Sequence, residues 1–122
     1  MLTHSALTKY TMCSPPMTAL PRSPEIQAKY DAFIEKGNNR SEFVNSMRRR
    51  LKNNRYYFTP NDFPYQTECQ IEHWVCWYGK QTCPHEIAKE IGGKNHIITY
   101  WKNHSQNMSI QEINHIHIFI QK

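Results

Sequence analysis

No run of apolar residues in this chain approaches the ~20 needed to cross a bilayer as a helix, which removes a helical membrane span. The opening residues lack a basic start followed by an apolar block, so no secretory leader is read there. The expected location is the cytosol or nucleus. Cysteines are few: Cys13, Cys69, Cys76 and Cys83. None are spaced as C-x2-C, and a cytosolic chain of this size does not need disulfides. Cys69, His73, Cys76, Cys83 and His85 lie close in sequence. His73 and Cys76 would fall on opposite faces of one strand, however, which argues against a structural zinc. An internal repeat is missing too, as is a glycine-rich approach to a phosphate.

The 122 residues suffice for one domain with one core. With 39% hydrophobic and 20% charged residues, most of the chain is expected to fold. Aromatics make up 12% and cluster after Tyr56. The net charge of +5 is local in origin, since Arg48, Arg49, Arg50, Lys52 and Arg55 form one block. Such a block can contact phosphates or nucleic acid. It can equally be a solvated helix end whose cations suit the helix dipole.

Residues 1–22 mix Thr, Ser, Pro and Met without periodicity and read as a mobile or loosely packed arm. Residues 23–122 read as a single domain. Ser23 caps a first helix, with Pro24 at its first position and Glu25 at the positive end of the dipole. Ile26, Tyr30, Phe33 and Ile34 recur at helical spacing, and Gly37 stops the helix. A second helix follows Asn38-Asn39, with Asn39 and Glu42 as a capping box and Phe43, Val44, Met47 and Leu51 as its buried stripe. The arginine block occupies its last turns. Residues 55–70 interleave aromatics with Pro60, Pro64, Asn61 and Asp62, and they either line a pocket or pin a long loop to the core.

Ile71 to Tyr78 reads as a central strand, large on both faces. A short helix follows, capped by Thr82 or Cys83, with Pro84 early in it and Gly92-Gly93 after it. His96 to Trp101 reads as a second strand. The chain ends on Ile113 to Lys122, in which alternation sends Ile116, Ile118 and Ile120 to one face and His115, His117 and Phe119 to the other. The two imidazoles stand about 6.8 Å apart along such a strand, close enough to share one phosphate or metal ion. The sum is a small α+β fold: a mainly antiparallel sheet of three to four strands, with N-terminal helices and one short helix packed on one side. A fourth strand would come from residues 55–66.

Several blocks together resemble the N-acetylglucosamine-induced protein family, which is mostly fungal with relatives in large DNA viruses. They are Asn61-Asp62-Phe63-Pro64-Tyr65, Ile71 to Trp77, Trp101-Lys102-Asn103 with Ser109-Ile110, and His115-Ile116-His117. The resemblance implies a common fold from about Tyr56 onward. It implies no reaction, because the family's biochemical function is unknown.

Three chemistries fit these residues. The leading one is a non-catalytic domain that binds a ligand or partner at a face made by His73, Trp77, Trp101, Asn103, His115 and His117. The tryptophans can stack on a base or sugar there, or serve simply as core. The second is phosphoryl or nucleotidyl chemistry on a degenerate histidine triad. Gln111, Ile113, His115 and His117 keep that superfamily's spacing, and Phe119 takes the place of its third histidine. By that resemblance His117 would attack phosphorus with His115 beside it, and Asn103 and Ser109 would donate to phosphate oxygens. The third is a metal-dependent nuclease with a His-hydrophobe-His motif, completed by His73 or Glu72 and a tyrosine nucleophile. The expected ligand is a nucleotide or other phosphate-bearing molecule. No cofactor is specified.

Overall fold

The computed structural model of the chain describes residues 1–35, 37–105, 108 and 110–122, with residues 37–39 by backbone alone. Among them the elements run α1 (His4–Leu7), α2 (Pro24–Glu35), α3 (Gly37–Asn53), β1 (Tyr56–Pro60), β2 (Ile71–Tyr78), α4 (Pro84–Gly92), β3 (His96–Trp101) and β4 (Asn114–Gln121). The strands form one antiparallel sheet in the order β1-β2-β4-β3. This is the expected small α+β fold, with the fourth strand drawn from the aromatic segment. Pro60 ends β1, where an edge strand tolerates a missing N–H.

The alternation on β4 decides the layers. Ile116, Ile118 and Ile120 join Cys76 and Tyr78 of β2 with Ile87 and Ile91 of α4. His115, His117 and Phe119 face the opposite way, in register with Trp77, Val75 and His73 of β2. That second face is covered by α3 through Val44 and Met47, which pack with Val75, Trp77, Ile110 and Ile113. The helices therefore lie on both sides of the sheet, not on one. Two apolar faces on the central strands β2 and β4 require this, because either face left bare would expose large side chains.

The first twenty-two residues depart from expectation. Leu2, Leu7 and Leu20 are buried with Tyr65, Ile71, Trp101 and Phe119, and Leu7 is wholly enclosed. Thr3 caps α1 by accepting from the Ala6 N–H, so a single helical turn forms ahead of the prolines. Backbone bonds from Leu2 to Gln66 and from Gln66 to Pro21 tie both ends of the segment to one loop. The arm is thus packed on the histidine face rather than loose. The start of α3 also differs: it begins at Gly37, so the expected stop at Gly37 and cap at Asn39 both fall inside or at the start of the helix. Ser23 does cap α2, accepting from the Ile26 N–H.

Candidate functional site

A cavity of about 500 Å3 lies over the histidine face, between α2, α3 and the sheet. That volume is within the usual range for small-molecule sites. It explains why α2 buries none of its residues fully: Tyr30, Phe33 and Ile34 face the cavity instead of closing on the strands. Phe43, Met47 and Arg50 reach it from α3, Tyr57 and Thr59 from β1, Trp77 from β2, and His115 and His117 from β4. Asn103 and the loop residues Asp62 and Phe63 complete the wall, with Arg22 at its N-terminal side. A second groove, between α4, β3 and the residues around Cys13, holds His85, whose Nδ1 is 2.7 Å from the Tyr100 hydroxyl.

Hydrogen-bond directions fix the states of the imidazoles. The Tyr65 backbone N–H can only donate, and it lies 3.0 Å from His73 Nδ1. His73 therefore carries its hydrogen on Nε2 and donates it to His117 Nδ1, 2.8 Å away, in preference to a bond with Asn61 Nδ2, which lies 3.4 Å from the same nitrogen. His117 in turn must carry its hydrogen on Nε2. That atom lies 3.1 Å from Asn103 Nδ2. Asn103 is itself oriented by Trp101, whose indole N–H donates to Asn103 Oδ1 over 2.9 Å. Turning the amide over would leave the fully enclosed Trp101 N–H without an acceptor, which is the costlier arrangement. His117 Nε2–H and Asn103 Nδ2–H are thus two donors side by side on the cavity wall.

His115 has the opposite character. Its Nδ1 is 3.1 Å from the Ile113 carbonyl, which only accepts, so Nδ1 bears the hydrogen and Nε2 is bare. Among the described residues that Nε2 has no hydrogen-bond partner, and the ring lines the cavity. The bare nitrogen therefore opens onto the cavity. The ring packs against Trp77 with centroids 4.3 Å apart.

Burial holds all three rings neutral. It pushes His73 down to about 3, with the Arg22 charge acting the same way. It pushes His115 down to about 4 against the Ile113 carbonyl, which favours the charged ring, and Lys102 adds to the lowering. His117 is held well below its ordinary value by burial first, then by the cost of sharing positive charge with His73 and His115, and by the Arg22 charge. Positive charge is supplied by arginine instead. Arg22 donates through Nε to the Phe63 carbonyl, and its guanidinium lies 4.0 Å over the Tyr30 ring and 4.8 Å over Tyr65. Arg50 lies 4.5 Å over Tyr57. Each contact holds the cation on an aromatic face while leaving terminal N–H groups for an anion.

The residues singled out from sequence divide clearly. Trp77, Asn103, His115 and His117 meet at the cavity. His73 belongs to the same network but stands behind His117 and lines a separate outer cleft with Asn61 and Trp74. Trp101 does not reach the cavity; it is core, 4.7 Å from Phe119 between ring centroids. Phe119 is likewise enclosed, stacked on His73 at 4.4 Å. Gln111 is exposed and donates to the Ser105 carbonyl, away from the cavity. Ser109 lies outside the described residues. The basic block does not act as a unit. Arg48, Arg49 and Lys52 point to solvent, Arg50 reaches the cavity, and Arg55 pairs with Glu86 and Glu90 of α4. Helical rotation of about 100° per residue sends neighbours in such a block to different sides.

Among the described residues, no cluster of three or more His, Cys, Asp and Glu side chains is placed to hold a metal ion. Glu72 faces the opposite side of the sheet from His117, and the His73 nitrogen nearest His117 is spent on a direct hydrogen bond. Arg22, Tyr30 and Phe33 were missed as site residues. The helical stripe marked Tyr30 and Phe33 as inward, but nothing in the sequence distinguishes a stripe facing a cavity from one closing on a sheet.

Fold and site together define a small α+β domain, with a four-stranded antiparallel sheet and a cavity on its histidine face. The crystal structure of a protein called HTC1 is similar in fold: TM-score 0.59 and 17% identity, covering 84% of this chain and 76% of that one. At that identity the likeness concerns the fold alone. No protein-family model matches the sequence, and no curated protein does. Among the described residues no helix is long and apolar enough to cross a membrane.

Proposed function

We propose that this chain is a ligand-binding domain whose site is the cavity over the histidine face, and that its ligand is a small phosphate-bearing molecule with a flat ring, such as a nucleotide. The observation that carries this reading is the wall itself. Aromatic rings from α2, α3, β1 and β2 surround a volume of about 500 Å3, and two arginines and two fixed donors converge on it. Rings of this kind stack on a base, and guanidinium groups recognise phosphate.

Binding is favoured over phosphoryl transfer by one detail. A histidine that attacks phosphorus through Nε2 needs that nitrogen bare, with Nδ1–H held by an acceptor. Around His117 the polarity is reversed, because His73 donates to its Nδ1. The blocks that resemble the N-acetylglucosamine-induced protein family contribute Asn61, Asp62, Phe63, Tyr65, Asn103, His115 and His117 to the same wall, and we include membership of that family in the proposal.

A thermal-shift panel of nucleotides and sugar phosphates tests the reading. At least one should raise the melting temperature of the wild type. Arg50→Ala, an exposed substitution expected to fold normally, should shrink that shift. A panel in which no compound stabilises the wild type would remove the proposal.

A further inference from the structure

We propose that an anionic oxygen of the ligand sits between His117 Nε2–H and Asn103 Nδ2–H, making them a paired oxyanion seat; this rests on the cavity reading above and says where the anion goes. The two nitrogens are 3.1 Å apart and both are donors, so they cannot bond each other. An oxygen at about 2.9 Å from each closes a near-equilateral triangle and satisfies both. Two donors facing one another on a cavity wall are poorly satisfied by the protein alone, and an acceptor from the ligand relieves them.

The seat is set from both ends by groups that cannot reverse. On one side the Tyr65 backbone N–H fixes His73, and His73 fixes His117. On the other the buried Trp101 indole fixes Asn103. His73 and Trp101 are therefore positioning residues that never touch the ligand. His115 supplies the contrast, since its bare Nε2 would repel an anion and accept a ligand hydroxyl instead. The anion is thereby directed to the His117 side of the cavity.

The test uses Asn103→Asp, which puts a carboxylate where the amide stands. Its three neighbours, Trp101 Nε1–H, His117 Nε2–H and the Tyr65 hydroxyl, can all donate to it. The unliganded variant should therefore melt no lower than the wild type near neutral pH, while the seat is filled and negatively charged. Adenosine 5′-monophosphate and adenosine serve as paired probes, with affinities read by calorimetry, and histidine 15N spectra report the tautomers. His117 should show hydrogen on Nε2 in the wild type. The monophosphate should bind the wild type more tightly than adenosine does. Asn103→Asp should weaken the monophosphate roughly 10- to 100-fold, the loss of one charged hydrogen bond, and so lower the ratio of monophosphate to adenosine affinity by about that factor. Hydrogen on Nδ1 of His117, or a variant that binds the monophosphate as the wild type does, overturns the oxyanion seat. Equal affinity of the wild type for both probes overturns the seat and the phosphate part of the reading above, and leaves only a ring-binding cavity standing. Binding of neither probe, with no stabilising compound in the panel above, sinks both.

Discussion

Replacing His73 with Ala should be among the most destabilising single changes in the chain. The ring is 5% exposed, accepts from the Tyr65 N–H at 3.0 Å and donates to His117 at 2.8 Å. Truncation orphans both partners in a closed environment, at about 1–3 kcal/mol each. It also removes the faces stacked on Phe119 at 4.4 Å and Tyr65 at 4.6 Å. The total comes to roughly 3–5 kcal/mol, against the roughly 5–15 kcal/mol that hold an ordinary domain together. Urea unfolding should show it as a midpoint lowered by roughly 2 M, with the slope unchanged. His73→Asn is the control: an amide oxygen near the Nδ1 position can accept from Tyr65, so part of the loss should return. A cost below about 1 kcal/mol for His73→Ala would refute the relay, because surface changes alone span about half that.

Stability should also fall with acid in a defined window. His73 and His115 titrate near 3 and near 4 in the folded chain, against 6.5 when exposed, and His117 is lowered as well. Below 6.5 the unfolded chain takes up protons that the folded chain refuses, so stability is complete above that pH and is lost progressively down towards 3–4. At pH 5 each of the two costs roughly 2 kcal/mol, with His117 adding in the same direction, and a stability that stays flat from pH 7 to 5 would contradict the neutral cluster. Leu7→Ala should cost about 2–5 kcal/mol in the same urea assay, because Leu7 is wholly enclosed, and a near-neutral result would return the first residues to the status of an arm. Arg55→Ala should change stability by less than about 1 kcal/mol, since its pairs with Glu86 and Glu90 are solvent-exposed.

The sheet was largely legible from the chain. Alternation placed β2 and β4 and assigned their faces, and Pro84 with Gly92-Gly93 bounded α4. Four of the six residues assigned to the ligand face do line the cavity. What stayed hidden depends on tertiary placement. Periodicity marks a buried stripe but not which face of the sheet it meets, so α3 and α4 could not be assigned to opposite sides. The first twenty-two residues have no periodic pattern, yet Leu2, Leu7 and Leu20 find the core one at a time. Trp101 and Asn103 are two residues apart, and only the fold makes one the buried orienter and the other the half-buried donor at the cavity. The tautomers of His115 and His117 are opposite although the residues are neighbours on one strand face, because their partners are a carbonyl and another imidazole.

The most direct measurement is a diffraction structure of the chain soaked with adenosine 5′-monophosphate. The ring should lie among Tyr30, Phe33 and Trp77, with a phosphate oxygen within about 3 Å of both His117 Nε2 and Asn103 Nδ2. A cavity that holds only water at saturating ligand, or a phosphate lodged at the exposed Arg48 and Arg49 instead, would contradict it.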